Sequence, residues 1–220
     1  MESQKEFEDI KSKIRKIPQE DFSLQMWTAI ASAHIEALPR TINSIAGEMH
    51  LKRLYKVTNE YAFGETVALT VEDDLAAVLT VSCSSNKFPF RLIFQSASGL
   101  ITSFPKIPFK EYLGLVVDLI QVNNYYRTQP LNSIKVLTLF VVPKYRQKGL
   151  ARIILQHSLS TNLCSNAIFV LVDVFKESTA TIETYSKLGF KKCYESSKSI
   201  IMKKSLVSAN KYIELPGSSL

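Results

Sequence analysis

Residues 139–155 read LFVVPKYRQKGLARIIL, and this stretch constrains the fold of the rest of the chain. An apolar run typical of a buried strand ends at Pro143, and an apolar helical pattern begins at Leu150. A short basic loop ending at Gly149 lies between them. At such a junction the unpaired backbone N–H groups meet the positive end of the helix dipole, and a glycine lets a ligand approach the backbone. The stretch therefore predicts a cradle for a diphosphate group.

Hydrophobic periodicity and turn residues predict the other elements. The expected strands are 13–17, 65–71, 75–82, 90–95, 134–142 and 167–175, with a closing hairpin of 190–196 and 198–206. The expected helices are 24–38 (capped by Ser23, with Leu24, Trp27, Ile30, Ala31, Ile35 and Leu38 as its apolar face), 42–59, 109–123, 150–163 and 178–190. Strands and helices alternate in the last third of the chain, which implies parallel pairing through a crossover helix.

Two motifs resemble the signatures of one known family. In LFVVPKYRQKGLARIIL, a strand, a V-x-P sequence, a basic loop with the pattern [RQ]xxGx[GA] and a helix follow one another; about thirty residues later, 185–190 read YSKLGF. Together they resemble the acyl-CoA-binding motif and the second signature of the GNAT acetyltransferase superfamily. The resemblance is best over 134–205. The N-terminal strand and two helices also fit, and 34–57 resembles the helix pair of a bacterial subgroup.

The resemblance implies a fold and a domain organisation. We expect an α/β (α+β) GNAT fold, with a mixed central sheet of about six to seven strands, helices on both faces and a V-shaped opening between strands for acyl-CoA. The whole chain, 1–220, would be a single such domain, with 134–205 as the acyl-CoA-binding core. Residues 84–133 form a longer connection than is usual in the family. We expect its apolar helix to enlarge the core or to contact a second subunit rather than to act as a lid.

The same resemblance implies acetyl-CoA as the cosubstrate. Its diphosphate would lie on the loop from Arg146 to Ala151, and its pantetheine arm would pair with the end of the preceding strand. A backbone amide of Val141 or Val142 would polarise the thioester carbonyl. The expected contacts with the cosubstrate are Phe140, Val141, Val142, Arg146, Gln147, Lys148, Gly149, Leu150, Ala151 and Ser178, the last standing where many relatives carry asparagine.

The resemblance assigns an acid, whereas the base is left open. Tyr185 matches the tyrosine that commonly protonates the leaving thiolate, although it also shares an apolar helix face typical of core residues. The strand 134–142 has no acidic residue where many relatives place one, so Asp173 on the next strand is the leading candidate base. Glu177, His34 and a water relay remain alternatives, with a core or groove position as the simpler interpretation of His34.

Composition and charge exclude several other classes. The chain has 220 residues, of which 46% are hydrophobic and 21% charged, as in ordered globular proteins. Its cysteines, Cys83, Cys164 and Cys193, are isolated, which favours reduced thiols over disulfides or a zinc site. A charged N-terminus and the absence of a long apolar run lead us to expect a cytoplasmic protein. The net charge of +7 favours anionic partners, but no nucleic-acid-binding signature accompanies it, so nucleic acid is disfavoured.

The sequence therefore predicts an N-acetyltransferase that moves an acetyl group from acetyl-CoA to a primary amine by direct attack. A small molecule, for example an amino sugar, is the favoured acceptor; a protein amine and a homodimeric state remain open. The missing carboxylate on 134–142 favours one alternative of a different class, which is a non-catalytic acyl-CoA-binding or regulatory module. Such a module would bind the cosubstrate without turnover.

Overall fold

The computed structural model describes residues 13–39, 41–60, 64–83, 106–130, 132–158 and 167–206. The strands are β1 (Ile14–Pro18), β2 (Gly64–Val71), β3 (Asp74–Cys83), β4 (Ser133–Val141), β5 (Phe169–Phe175), β6 (Lys191–Glu195) and β7 (Ser199–Ser205). The helices are α1 (Leu24–Ala37), α2 (Ile42–Ala46), α3 (Glu48–Glu60), α4 (Phe109–Arg127), α5 (Leu150–Ser158) and α6 (Thr179–Lys187). The predicted strand 90–95, the end of the predicted helix 150–163 and Cys164 lie outside the described residues.

The seven strands form one mixed sheet in the order β1-β2-β3-β4-β5-β7-β6. Only β4 and β5 pair in parallel, with α5 as the crossover helix between them, as the alternating pattern predicted. All the other neighbouring strands pair in antiparallel fashion. The predicted sheet of about six to seven strands is thus confirmed.

Helices cover both faces of the sheet because successive strand residues point to opposite sides. On one face, α5 and α6 pack on a large apolar cluster that includes Val136, Ile154, Val172 and Tyr185. On the other face, α1 and α3 pack over β2–β4, where Phe140 and Val142 lie, and α4 packs over β5 and β7. Among the described helices, none is long and apolar enough to cross a membrane.

Two predictions for the first half of the chain are wrong. The predicted helix 42–59 is two helices, because Gly47 adopts a φ of +99° that ends α2, with its N–H donating to Asn43 and Ser44. Leu24 was expected on the buried face of α1 but is 79% exposed, because it occupies the first helical position, outside the packed turns. The predicted cap is confirmed, since Ser23 Oγ accepts from Met26 N at 3.2 Å.

The turn between β2 and β3 works without glycine. Glu72 and Asp73 both adopt positive φ, 53° and 73°, and Val71 pairs with Asp74 on either side of them. Two left-handed residues in succession match the twist of a hairpin, and aspartate tolerates this conformation better than most residues. The acidic side chains also contact the edge strand, where Asp73 pairs with Arg15 at 3.3 Å.

Helix α4 extends four residues beyond the predicted end at 123 and is fixed by a buried carboxylate. Asp118 is 6% exposed and accepts hydrogen bonds from the turn between β6 and β7. Its donors are Ser196 Oγ (2.5 Å), Ser197 Oγ (3.3 Å), Lys198 N (2.6 Å) and Ser199 N (3.1 Å) on Oδ1, and Ser199 Oγ (2.7 Å) on Oδ2. Burial alone would raise the pKa of Asp118, but these hydrogen bonds outweigh it and lower the pKa.

Candidate active site

A gap opens in the middle of the sheet where β4 and β5 separate. Their parallel pairing covers only four residues of each strand and ends at Val136 and Val172. Leu137 is an extra residue in β4, because Thr138 pairs with Thr80 while Val136 pairs with the next residue of β3. Such a bulge bends its strand and locally increases the twist. Beyond it, β4 stays with β3 and β5 stays with β7, which leaves two strand edges facing one another without pairing.

The edge of β4 offers a backbone amide to this gap. Val142 N donates to Ala76 O of β3 at 2.9 Å. In an antiparallel ladder, successive N–H groups point to opposite sides of a strand, so that of Val141 points away from β3, towards the gap. Between the two expected amides, the geometry therefore favours Val141. The side chain of Phe140 is buried on the face of the sheet that α1 and α3 cover. The centre of its ring lies 5.5 Å from the centre of the His34 ring, in an edge-on arrangement.

The basic loop leads from this strand end to the N-terminus of α5. A 3-10 turn spans Pro143–Tyr145, and then Gln147 and Gly149 adopt positive φ values of 63° and 71°. Among the backbone hydrogen bonds between described residues, none uses the N–H of Gln147, Gly149, Leu150 or Ala151. Leu150 is buried and fixes the helix start in the core, while Ala151 and Lys148 are half-buried. The expected cradle is thus a set of backbone donors at a helix N-terminus.

Arg146 holds the loop in place. Its Nη2 donates to Ala37 O at the end of α1 (3.1 Å) and its Nε to Val141 O (3.3 Å), while its backbone N–H donates to Pro143 O (3.2 Å). The guanidinium therefore connects the loop, α1 and the open end of β4. Arg146, expected as a contact with the cosubstrate, thus also fixes the position of the loop.

Asp173 is the first residue of β5 beyond the last β4–β5 pair. Its side chain is exposed on the face that α4 covers, and its Oδ1 accepts from Tyr126 Oη at 3.0 Å. Lys135, on the same face of β4, has its Nζ 3.8 Å from the centre of the Tyr126 ring. Burial lowers the pKa of Lys135, against the opposing effect of the Asp173 charge. Asp173, the leading candidate base, thus lies beside the gap and accepts a hydrogen bond from the phenol of Tyr126.

Tyr185 lies on the opposite face, in α6. It is 5% exposed, and its ring meets that of Phe190 edge-on at 5.1 Å. Burial first, and the charge of Asp173 second, raise the pKa of Tyr185. The phenol is therefore neutral at neutral pH and is a donor of hydrogen bonds. The candidate acid and the candidate base project from opposite faces of the sheet.

The other candidate bases are placed less favourably. His34 is 2% exposed, and its Nδ1 lies 2.6 Å from Tyr55 Oη, which also hydrogen-bonds with the Thr138 side chain. Burial lowers the pKa of His34 to about 4. It is thus a core histidine with a hydrogen-bonded partner, as the simpler interpretation predicted. Glu177 is exposed in the turn after β5.

Ser178 precedes α6 as its N-cap, but its side chain makes no capping hydrogen bond. Its N–H donates to Phe175 O at 2.9 Å. No group of three or more His, Cys, Asp or Glu side chains within the described ranges comes together as a metal site. Cys193 is a free thiol on the surface.

Tyr126 is the site residue that sequence reasoning missed. The predicted helix ends at 123, whereas α4 continues to Arg127 and so includes Tyr126. A signal was present, because the buried residues Leu115, Asp118, Val122 and Tyr126 follow a spacing of three and four. The two polar asparagines before the tyrosines obscured this spacing.

Comparisons with known proteins agree with this geometry. Residues 111–190 match the family described as the acetyltransferase (GNAT) family. No curated protein matches the sequence. Among solved structures, the ribosomal-protein-S18-alanine N-acetyltransferase from Escherichia coli is 14% identical with a TM-score of 0.54, covering 91% of this chain and 99% of its own. PH1933 from Pyrococcus horikoshii is 13% identical with a TM-score of 0.59, covering 89% and 99%.

A third similar structure, the Campylobacter jejuni N-acetyltransferase PseH in complex with acetyl coenzyme A, is 10% identical with a TM-score of 0.52 and covers 88% of this chain and 99% of its own. At these identities the structures establish the fold, and the family match identifies the segment that carries the basic loop and α6. Residues 111–190 therefore match the GNAT acetyltransferase family, and the chain has the fold of these N-acetyltransferase structures.

Proposed function

We propose that this protein is an N-acetyltransferase that transfers the acetyl group of acetyl-CoA to a primary amine of a small molecule. One observation carries the proposal, namely the gap between β4 and β5 that begins at Val136 and Val172 and ends at the basic loop, where the N–H groups of Gln147, Gly149, Leu150 and Ala151 make no backbone hydrogen bond among the described residues. The PseH structure, which has the same fold, was solved with acetyl coenzyme A bound. The diphosphate would lie on the N–H groups from Gln147 to Ala151.

The proposed acid and the proposed base would act from opposite faces of the sheet. The amine nitrogen attacks the acetyl carbonyl carbon, an N–C bond forms, the C–S bond breaks, and coenzyme A leaves as a thiolate. The N–H of Val141 would donate to the carbonyl oxygen as negative charge develops on it. An ammonium group would lose one proton to solvent before the attack, and Asp173 would take the second proton, which the nitrogen loses once the N–C bond has formed. Tyr185 would donate to the thiolate, and solvent would restore both side chains.

Two features of the site fit these roles. An exposed carboxylate attracts an ammonium group, the form in which an alkylamine with a pKa near ~10 arrives, and can accept the proton that the nitrogen loses after its attack. A buried phenol stays protonated and can donate to a thiolate formed beside it. Asp173 and Tyr185 meet these two requirements from opposite sides of the gap.

The test is the release of free thiol from acetyl-CoA in the presence of a panel of amines. The panel contains glucosamine, a polyamine and a peptide with an N-terminal alanine, because one structurally similar enzyme is named for acetylating a protein alanine. We expect amine-dependent thiol release with one small-molecule class and a product heavier by one acetyl group in mass spectrometry. Thiol release with the peptide alone would indicate that the acceptor is a protein amine. Acetyl-CoA binding without release for any amine would indicate the non-catalytic module.

A further inference from the structure

The hydroxyl of Tyr126 makes a contact that the proposed chemistry does not yet use. Tyr126 belongs to α4, between β3 and β4 in the chain, and Asp173 belongs to β5, 47 residues later. The phenol is 7% exposed and donates to Asp173 Oδ1 at 3.0 Å. A buried hydroxyl donating to a carboxylate makes a charge-assisted hydrogen bond with a defined direction. One carboxylate oxygen is therefore fixed by α4.

We propose that Tyr126 is a positioning residue for acetyl transfer, which orients the Asp173 carboxylate so that its second oxygen, Oδ2, faces the amine. The inference rests on the proposed function, because it assigns Asp173 the role of base. It gives α4 a task in the reaction in addition to its part in the core.

The surroundings of Tyr126 support a fixed orientation. Its ring packs with Val122, Leu171 and Ile201 in the cluster under α4, and Lys135 Nζ lies over its face. A ring held on several sides has little rotational freedom, so its hydroxyl can fix the carboxylate only in one direction. In enzymes, a base must lie within hydrogen-bond reach of the proton that it removes, and small misplacements cost rate.

The titratable groups around the Tyr126–Asp173 pair come from four elements. Lys135 approaches from β4 and Tyr185 from α6, while Tyr125, on α4 itself, and Cys193, on β6, lie near Tyr126. Burial first, and the charge of Asp173 second, raise the pKa of Tyr126 well above its usual value. The phenol therefore stays protonated throughout the neutral range and donates to Asp173 Oδ1.

A double-mutant cycle tests the proposal on the full chain. The variants are Tyr126→Phe, Asp173→Asn and the double variant, with Tyr125→Phe as the matched control, because Tyr125 is the adjacent phenol and stacks on Tyr194 at 4.5 Å. We expect kcat to fall about a hundredfold for Asp173→Asn and about tenfold for Tyr126→Phe. The double variant should be no slower than Asp173→Asn, because Tyr126 acts only through that carboxylate. Tyr125→Phe should stay within about twofold, and every variant should bind acetyl-CoA as the parent does.

Two results would overturn the proposal. The first is a double variant in which the two losses multiply, which is the behaviour of a residue with a general structural role. The second comes from a measurement that requires no turnover, the tyrosine Cζ resonances in ¹³C NMR, where the signal of Tyr126 is assigned by its absence in Tyr126→Phe. This signal should move in Asp173→Asn more than the other tyrosine signals do; if it stays in place, the contact does not exist in solution. Absence of turnover in the parent would instead overturn the proposed function, while the NMR signal would still report the contact.

Discussion

The anchor between α4 and the β6–β7 turn predicts a large loss of stability for Asp118→Ala. The carboxylate accepts five hydrogen bonds, two of them from backbone N–H groups of Lys198 and Ser199. A hydrogen bond to a charged group contributes about 1.5–3 kcal/mol, but bonds that share one acceptor do not add. The serine hydroxyls can rotate to other acceptors; Ser196 Oγ already reaches Ser199 O at 3.1 Å. The N–H of Lys198 has no such freedom.

We therefore expect Asp118→Ala to lower the free energy of unfolding by about 3–5 kcal/mol, the range for breaking a buried charged network. Gln121→Ala is the matched control on the same helix, because Gln121 Oε1 accepts a single, exposed hydrogen bond from Ser197 N at 2.8 Å. That variant should lose about 1 kcal/mol. Urea denaturation followed by the fluorescence of Trp27, the one tryptophan of the chain, measures both changes.

The same carboxylate predicts a dependence on pH. Because the pKa of Asp118 is lowered in the folded state, its contribution is present above the unfolded-state pKa and is lost as the pH falls through the folded-state value. The difference in the free energy of unfolding between the parent and Asp118→Asn should therefore become smaller as the pH falls. A loss below about 1 kcal/mol for Asp118→Ala at neutral pH would refute the reasoning, since the turn would then be held by something other than this carboxylate.

Three further outcomes follow from single residues. His34 has a folded-state pKa of about 4, so the unfolded chain takes up this proton first, and His34 should contribute a loss of about 3 kcal/mol in the free energy of unfolding between pH 6.5 and 4; in chemical denaturation, the unfolding free energy of His34→Asn should fall less steeply over this range. Gly64→Ala should cost about 2–3 kcal/mol, because its Cβ would lie 2.8 Å from Thr58 O; an unchanged melting temperature would contradict this. Gly114→Ala should gain about 0.5–1 kcal/mol, because the atom in its way is the flexible end of Lys198, and calorimetric melting decides the sign.

Local patterns predicted the elements that carry the proposed cosubstrate site. The apolar run, the basic loop and Gly149 locate the junction of β4 and α5, and Gly189, with its φ of +88°, follows the C-cap of α6. These features depend on residues that are close together in the sequence, through strand burial, helix capping and glycine conformations. Gly47 shows the limit of this reasoning, because the helical pattern on both sides concealed the break.

The contacts of α4, including the one with the proposed base, could not be predicted from the sequence. The contact of Tyr126 with Asp173 joins residues 47 apart, and those of Asp118 with the β6–β7 turn join residues about 80 apart. Nothing local in either segment specifies such a pairing, which depends on how α4 lies across the sheet. The bulge at Leu137 is similar, because only the register with β3 reveals the extra residue.

Calorimetric titration with acetyl-CoA tests the central claim most directly, with Ala151→Glu and Ala151→Gln beside the parent. Ala151 suits this better than Gly149, whose φ of +71° would strain any side chain. The two variants are equal in size and differ in charge, and a carboxylate about 4 Å from a phosphate charge costs about 1–4 kcal/mol. We predict micromolar binding by the parent, retained in Ala151→Gln and at least about tenfold weaker in Ala151→Glu. A folded parent that binds no acetyl-CoA, or equal binding by the two variants, would contradict the cradle.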